Sequence, residues 1–439
     1  MKKDITLWYQ INNCNQRCRH CYAYEPAPIR RSPEEIKGFL RQAAGLLKDV
    51  RYGHVEVLFH HEPTIYKEIK EVLEYCEKNN LSFLFSGLVT NCSGIVRRKD
   101  GKEILVQYKK MGIKNVGISL FGLETYHDAF TSRKGSYTDI IKAIELFKQE
   151  GFQYGINLFV TDDNAEDVKI LKKRYGALAD FAVACGCQKM EMNQKKYLTR
   201  PTKKTAALLS MLDEKGIFTL KSQQEWVTMI QNKSDMSHYF QNDDEPSLLE
   251  SGDKMYSSVY IKNHNFVGDL IREKLKDIVK RKSLSDFIWG QYYDNKNDFI
   301  QHLCHQWGDK SDETVYYLWD LLTIWSEKEF DHHAHDYLEN LEINDCVLFP
   351  EDDVSCQYDR EKSSLKMSLH HEEIEVYAKE AELAELIFEK KLTNRELLER
   401  IKKQEPSHAY QKIMIGYRRL LKELYHHGMI AVAFECQKP

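Results

Sequence analysis

Residues 14–21 read Cys14-Asn-Gln-Arg-Cys18-Arg-His-Cys21, and they follow a short apolar segment, Ile5–Ile11, that predicts a strand. A loop with three thiolates at this spacing can wrap one corner of a four-iron, four-sulfur cubane and leave the fourth iron without a protein ligand. An open coordination position is typical of metal sites that do chemistry. A structural zinc ion would need a fourth ligand, which His20 could supply, so zinc remains the alternative at this loop.

Strands alternate with helices along the first 195 residues, which indicates an α/β fold with parallel strands and right-handed crossovers. Six such units make a partial (β/α)6 TIM barrel, in which catalytic side chains lie at the C-terminal ends of the strands. Ser32 is expected to cap the first helix. The predicted strands are Ile5–Ile11, His54–Phe59, Leu81–Val89, Asn115–Leu120, Tyr154–Val160 and Lys189–Asn193, and the predicted helices are Pro33–Leu47, Ile65–Lys78, Ile104–Lys110, Ile140–Gln149 and Glu166–Ala184.

We predict three domains, with limits 1–200, 201–343 and 344–439. The middle one is expected to be a mixed α/β, mostly helical linker region, with a loop at Met229–Asp253, a strand at Ser257–Ile261 and helices at Ile271–Lys282 and Thr314–Glu329. The sequence of the last domain, residues 344–439, predicts a winged-helix-like α+β fold. Its strands are expected at Cys346–Phe349, Ser355–Tyr358, Leu365–Leu369 and Met429–Phe434, and its helices at Glu375–Glu389, Asn394–Ile401 and Tyr410–His426.

Charge and cysteine content exclude several classes of protein. The chain has 63 basic and 67 acidic side chains, a net charge of −4, which argues against nucleic-acid or anionic membrane partners. The C-terminal residues 371–439 balance twelve basic against twelve acidic side chains, so they offer no surface for DNA. No apolar run approaches the roughly 20 residues of a membrane helix. The eleven cysteines do not form a disulfide framework, which predicts a cytoplasmic location.

The cysteine spacing and its place after a strand resemble those of the radical S-adenosylmethionine (radical SAM) superfamily, over about residues 5–195. The resemblance implies one [4Fe–4S] cluster held by Cys14, Cys18 and Cys21, with S-adenosylmethionine (AdoMet) on the open iron. It also implies cleavage of AdoMet to a 5′-deoxyadenosyl radical that removes a substrate hydrogen. His20 matches the position whose side chain packs on the adenine of AdoMet.

Further positions match the family at successive strand ends. His60-His61-Glu62-Pro63 lies where the family usually has Gly-Gly-Glu-Pro, so the resemblance implies that Glu62 accepts the amino group of AdoMet. The two histidines depart from the pattern, and because neighbours on a strand point in opposite directions, we do not expect them to bind a metal together. The other cofactor contacts that the resemblance implies are Asn91, Ser119, Arg133, Asn157 and Asn193.

Ser257–Ile261, followed by Gly268-Asp-Leu-Ile-Arg and Leu275–Val279, resembles the family's SPASM extension with its cysteines missing. Because the remaining cysteines contain no CxxC pair, we expect no auxiliary cluster. Cys92 is a candidate donor of a hydrogen atom. The C-terminal domain resembles the recognition elements of maturases for ribosomally made peptides (RiPPs), so a peptide substrate or its leader is the favoured partner, with an electron donor such as flavodoxin or ferredoxin. The alternatives are a small metabolite or nucleoside as substrate, and a zinc-binding adaptor without catalysis.

Overall fold

The computed structural model describes residues 3–19, 21, 29–49, 52–159, 161–175, 180–184, 202–203, 206–207, 220–232, 247–257, 263–292, 296–308, 315–316, 318–340, 346–351, 353–389, 393–404 and 407–435. The elements up to residue 184 are, in chain order, β1 (Lys3–Gln10), α1 (Pro33–Leu46), β2 (Tyr52–His60), α2 (Ile69–Lys78), β3 (Gly87–Thr90), α3 (Ser93–Arg97), α4 (Gly101–Lys110), β4 (Asn115–Ser119), α5 (Glu124–Phe130), α6 (Ser136–Glu150), β5 (Gln153–Phe159), α7 (Ala165–Tyr175) and β6 (Asp180–Ala184).

The later elements continue the same numbering. They are β7 (Lys221–Ser222), α8 (Gln223–Gln231), β8 (Ser247–Ser251), β9 (Lys254–Tyr256), β10 (Phe266–Asp269), α9 (Leu275–Ile278), β11 (Arg281–Ser283), α10 (Leu284–Tyr292), α11 (Lys296–Trp307), β12 (Val315–Tyr316), α12 (Leu318–Asn340), β13 (Cys346–Pro350), β14 (Ser355–Asp359), β15 (Ser364–Leu369), β16 (Glu372–Tyr377), α13 (Ala378–Phe388), α14 (Asn394–Gln404), α15 (Ser407–His426) and β17 (Ile430–Glu435).

The chain divides into two compact units, and the first comprises Met1–Gly252 and Ile300–Ser326. In its two larger sheets the strands of this unit pair in parallel: β1 pairs with β2 on one side and with β8 on the other, and β3, β4, β5 and β6 follow one another in the second sheet. The two-residue strands β7 and β12 pair antiparallel. Ile5, Leu7 and Tyr9 of β1 are buried, while the residues between them are partly exposed. The C-terminal ends of β1 to β5 therefore lie close to the loops that bear the predicted site residues.

Helix α1 begins as predicted, because Ser32 caps it. The Ser32 side chain accepts from the backbone of Glu35, and the Glu35 side chain accepts from the backbone of Ser32, a reciprocal capping box. The buried residues of α1 include Ile36, Leu40 and Ala43, which recur every three to four positions and so line one face of the helix.

The second unit comprises Asp253–Phe299 and Glu327–Pro439. Strands β11, β17 and β13 form one antiparallel sheet with β17 in the centre. Strands β14, β15 and β16 form a separate antiparallel meander, which the helices α13, α14 and α15 follow in the chain. Phe434 and Ala433 of β17 are fully buried, which makes this strand the core of its sheet.

Four of the predicted elements are wrong because pairing with a neighbouring strand overrides local helix propensity or polar composition. The predicted helix Glu166–Ala184 ends at Tyr175, and its last residues form β6 beside β5. The predicted loop Met229–Asp253 contains the end of α8 and the buried strand β8. Only α9 of the predicted helix Ile271–Lys282 is helical, because β11 pairs with β17. The predicted helix Glu375–Glu389 begins inside β16, which pairs with β15.

Two smaller corrections concern the first unit. Residues Ser82–Leu84, expected in the third strand, form a turn of 3-10 helix before β3. Helices α3 and α5 were not predicted. The predicted strand Lys189–Asn193 lies outside the described residues, as does most of the predicted strand Ser257–Ile261.

The predicted mixed α/β class is confirmed. The strands that the structure describes do not close a barrel, and the partial barrel, the winged-helix-like domain and the division into three domains stay predictions. Among the described residues, no helix is long and apolar enough to span a membrane.

Candidate active site

The cysteine loop follows β1 and is fastened to the chain just after α5. The backbone N–H groups of Arg17 and Arg19 donate to the carbonyl oxygens of Thr131 and Phe130, both at 3.0 Å. These hydrogen bonds hold the cysteine loop against the end of α5, a helix that was not predicted from the sequence. Helix α5 therefore contributes to the shape of the site.

Cys14, Cys18 and Cys21 lie near one another, and each is partly buried. Burial, together with the smaller effects of the Glu62 carboxylate and the Cys21 thiol, raises the pKa of Cys14 to about 12. Burial and the two neighbouring cysteines also raise the pKa of Cys18. Iron ligands must be thiolates, and the positive charge of the metal offsets these effects. Three soft sulfur donors on one loop fit an iron–sulfur cluster that keeps one iron open.

Glu62 lies fully buried just after β2, where it joins two loops. Its carboxylate accepts hydrogen bonds from Thr64 N at 3.1 Å and Thr90 Oγ1 at 2.7 Å, and also from Thr64 Oγ1 and Asn91 N. Burial raises the pKa of Glu62, and these hydrogen bonds oppose the rise. The carboxylate thus fixes the ends of β2 and β3 relative to each other, and its contact with AdoMet stays a prediction.

Asn91 connects the end of β3 to the cysteine loop. Its side-chain nitrogen donates to Asn15 Oδ1 at 2.9 Å and lies 3.5 Å from Cys14 Sγ. Asn15 in turn donates to Ser93 Oγ at 2.9 Å. The structure therefore brings two of the predicted site residues, Asn91 and Cys14, into contact.

Cys92 immediately precedes α3, with a positive φ of 68°. Its side chain is completely buried, and burial raises the pKa of the thiol well above its ordinary value. Its backbone N–H donates to Thr90 Oγ1 at 2.8 Å. A role as hydrogen-atom donor stays a prediction for this thiol.

Ser119 and Asn157 are register partners at the ends of β4 and β5, and both are partly exposed. Arg133 lies after α5, where its Nη2 pairs with Asp139 at 2.6 Å. The same carboxylate also accepts from Arg97 at 2.7 Å. Arg133 Nη1 is buried without a hydrogen-bond partner among the described residues, so one side of this guanidinium is available to a ligand.

His60 and His61 do not point in opposite directions, which corrects the expectation from strand geometry. Their ring centroids lie 4.6 Å apart. His61 has a φ of 67°, a left-handed conformation that breaks the alternation of the strand and that glycine adopts without strain. Within the described part of the chain, His60 Nδ1 and His61 Nε2 are buried without partners.

Glu250, in β8, is a buried residue of this region that sequence reasoning did not find. Its carboxylate pairs with Arg31 at 2.7 Å and accepts from Gln10 N at 2.9 Å, and its carbonyl oxygen lies 3.1 Å from His60 Nε2. Arg31 also donates to the carbonyl oxygen of Gln10 at 2.9 Å. These contacts fasten the end of β1, directly before the cysteine loop.

Two site residues named from the sequence, His20 and Asn193, lie outside the described residues. Their predicted roles stay predictions.

The family model of the radical SAM superfamily matches residues 8–173, which include β1 to β5 and the cysteine loop. The chain contains a radical SAM domain. Radical SAM enzymes use a [4Fe–4S] cluster and AdoMet, so the predicted enzyme class and cofactors are confirmed for this domain. The assignment of the cluster to the three thiols of the cysteine loop stays a prediction.

The relatives of the radical SAM domain have names that indicate different products. Fe-coproporphyrin III synthase of Methanosarcina barkeri is 27% identical over 171 residues, 38% of this chain and 39% of that protein. The subtilosin biosynthesis protein AlbA of Bacillus subtilis is 30% identical over 159 residues, 36% of this chain and 33% of that protein. The chain thus spans well under half of these relatives.

The solved structures that resemble the chain include SuiB of Streptococcus suis bound to its precursor peptide SuiA. The likeness covers 69% of this chain and 67% of that one, with 18% sequence identity and a TM-score of 0.43.

The buried histidines predict how the stability of the radical SAM domain depends on pH. Burial lowers the pKa of His60 to about 3 and that of His61 to about 4. An unfolded histidine titrates near 6.5, so below that pH the unfolded chain binds more protons than the folded one. Stability should therefore be complete above pH 6.5 and fall as the pH decreases toward 4.

The measurement is urea unfolding of the metal-free chain at pH 7.5 and 5.0, with His61→Asn as the variant because asparagine tolerates a positive φ. The variant should lose about 2 kcal/mol less between the two pH values than the unaltered chain. Equal losses would show that His61 is protonated in the folded protein.

Proposed function

We propose that this protein is a radical SAM enzyme that binds one [4Fe–4S] cluster through Cys14, Cys18 and Cys21 and removes a hydrogen atom from a ribosomally made peptide, leading to epimerisation, a crosslink or a backbone modification. The observation that carries the proposal is the convergence of these three thiols on the loop after β1. When bound, the cluster transfers an electron to AdoMet and yields the 5′-deoxyadenosyl radical.

The chain's own residues would bind and orient AdoMet. Glu62 is held by the ends of β2 and β3, where its carboxylate can receive an ammonium group. Arg133 has one buried nitrogen without a partner among the described residues, and a guanidinium suits a carboxylate. Ser119 and Asn157, side by side at two strand ends, would receive the ribose, and Asn91 lies next to Cys14. For His20 and Asn193 we propose the contacts with AdoMet that the family resemblance implies.

The second unit supports the choice of a peptide. Strands β14 and β16 are the outer strands of their meander, in the part of this unit that the structure describes. An extended peptide can add to such an edge through its main chain. Tyr358 on β14 and Tyr377 on β16 are exposed, which would let side chains of a peptide pack beside them. We therefore propose a winged-helix-like recognition role for residues 344–439.

A small metabolite is the second candidate, favoured by the similarity of residues in the radical SAM domain to Fe-coproporphyrin III synthase. In that case residues 344–439 would cover the site rather than bind a leader peptide. For either substrate we propose a cytoplasmic enzyme that receives electrons from a flavodoxin or ferredoxin.

Anaerobic reconstitution with iron and sulfide, reduction with dithionite and addition of AdoMet test the proposal. We expect iron and acid-labile sulfide in the protein and 5′-deoxyadenosine by mass spectrometry. A peptide encoded beside the gene should increase its formation, whereas an increase with an iron tetrapyrrole added without any peptide would favour the second candidate. Uptake of zinc and no iron would show that the chain is a zinc-binding adaptor instead.

Cys356 offers a test of where a peptide binds. It lies on the edge strand β14 and is the one partly exposed thiol outside the cysteine loop within the described residues. Addition of a peptide along β14 should slow alkylation of Cys356 by iodoacetamide several-fold in the reconstituted protein. Full alkylation in the presence of a peptide that increases 5′-deoxyadenosine formation would show that the peptide binds elsewhere.

A further inference from the structure

Gln16 lies between two of the cluster cysteines and is nearly buried, at 7% exposed. Its backbone N–H lies 3.4 Å from Cys14 Sγ, and its side-chain amide lies 3.4 Å from Cys18 Sγ at one end. The other end of the amide lies 2.6 Å from Ser136 Oγ, at the first residue of α6. Gln16 therefore contacts the sulfur atoms of Cys14 and Cys18 and links them to the hydroxyl group of Ser136.

Ser136 is in turn joined to a histidine whose tautomer is fixed. His127 Nδ1 accepts from the backbone N–H of Phe121 at 3.1 Å, and His127 Nε2 lies 3.1 Å from Ser136 Oγ. His127 is fully buried, and burial lowers its pKa to about 4, so the ring is neutral. With Nδ1 acting as acceptor, the proton is on Nε2, which donates it to Ser136.

The direction of the hydrogen bond from His127 to Ser136 determines how the Gln16 amide is oriented once Cys18 is a thiolate. Ser136 Oγ accepts from His127, and its own hydrogen can then go to the Gln16 amide, the other side-chain group within hydrogen-bond distance in the part of the chain that the structure describes. The amide must then present its oxygen to Ser136 and its nitrogen to Cys18. A separation of 2.6 Å suits O–H···O better than N–H···O.

In the structure the amide has the opposite orientation: the Cys18 thiol donates to Gln16 Oε1, and Gln16 Nε2 donates to Ser136 Oγ. A thiolate bound to iron has no proton to donate and would repel an amide oxygen. The two ends of an amide have nearly the same shape, so a half-turn of the side chain exchanges them without moving the backbone.

We propose that Gln16 donates its side-chain N–H to the Cys18 sulfur of the bound cluster, and that His127 and Ser136 hold the amide in that orientation. The inference rests on the cluster of the proposed function. Hydrogen bonds to cluster sulfurs help to set the reduction potential, because they stabilise the more negative, reduced state. Gln16 is thus a positioning residue that makes the cluster easier to reduce.

The test is a redox titration of the reconstituted full-length chain, followed by the electron paramagnetic resonance signal of the reduced cluster. Gln16→Leu keeps the size of the side chain and removes its donor. At the midpoint potential of the unaltered protein, the ratio of reduced to oxidised cluster should fall about tenfold, a shift of 59 mV to more negative values for one electron. Ser136→Ala should shift the midpoint in the same direction by less.

Ser132→Ala is the matched control, because the Ser132 hydroxyl donates to the Arg17 carbonyl oxygen at 3.0 Å but to no cluster sulfur. It should leave the midpoint unchanged. Normal iron content with an unchanged midpoint in Gln16→Leu would overturn the inference, and a shift in Gln16→Leu without one in Ser136→Ala would overturn the orienting role of Ser136 and His127. An unaltered chain that takes up no iron would overturn the proposed function itself.

Discussion

Replacing Cys14, Cys18 and Cys21 together by alanine is expected to abolish iron uptake and reduce 5′-deoxyadenosine formation to background. The three thiols converge on one loop, and their burial disfavours free thiolates, so a cluster is what these positions can stabilise. Iron and sulfide content, the visible absorption spectrum and the AdoMet assay measure the effect.

Cys356→Ala is the matched control, because this cysteine is also partly exposed but lies on β14 in the second unit. It should retain full iron content and full cleavage of AdoMet. A triple variant that still binds iron and sulfide would show that the cluster is held elsewhere in the chain.

Glu250→Ala is expected to destabilise the first unit by about 3–5 kcal/mol, the usual effect of removing one partner of a buried ion pair. The Glu250 side chain is 0% exposed and that of Arg31 is 8% exposed, so the buried guanidinium would keep only the more distant carboxylate of Glu35, at 4.0 Å and 56% exposed, as a counter-charge. The variant also removes the acceptor of the Gln10 N–H at the end of β1. Urea unfolding at pH 7.5 measures the loss.

Glu34→Ala is the control, since Glu34 also pairs with a cation, Lys37, but has a side chain that is 77% exposed. It should leave the unfolding midpoint where it is. The double variant Arg31→Ala/Glu250→Ala should be destabilised by clearly less than the sum of the single variants, because it leaves no unpaired charge. Additive losses would mean that the two side chains do not interact.

The parts of the site that could be predicted from the sequence are those next to strand ends. The chain reaches a strand end at Cys14, Glu62 and Asn91, and parallel strands bring such ends to one edge. The structure places Asn91 beside both Glu62 and Cys14. Local patterns were sufficient here because the motif spacing and the strand order determine the geometry.

The residues that were missed depend on contacts distant in sequence. Glu250 belongs to a five-residue strand between polar segments, and only pairing with β1 shows that it is buried. Gln16 has no distinguishing spacing, and its partner Ser136 is 120 positions away. We expected the side chains of His60 and His61 to point in opposite directions, which was wrong. That expectation assumed a continuous strand, and the sequence did not indicate the positive φ of His61.

The pairing of β1 with β8 has a consequence for how the protein is made. Gln10 and Glu250 are 240 positions apart, and a ribosome adds about 5–20 residues each second, so β1 waits roughly 10–50 s for its neighbour. During that interval one edge of β1 is open, and the adjoining cysteine loop lacks its support. Iron delivery to the newly made chain should therefore succeed only late in translation or after release from the ribosome.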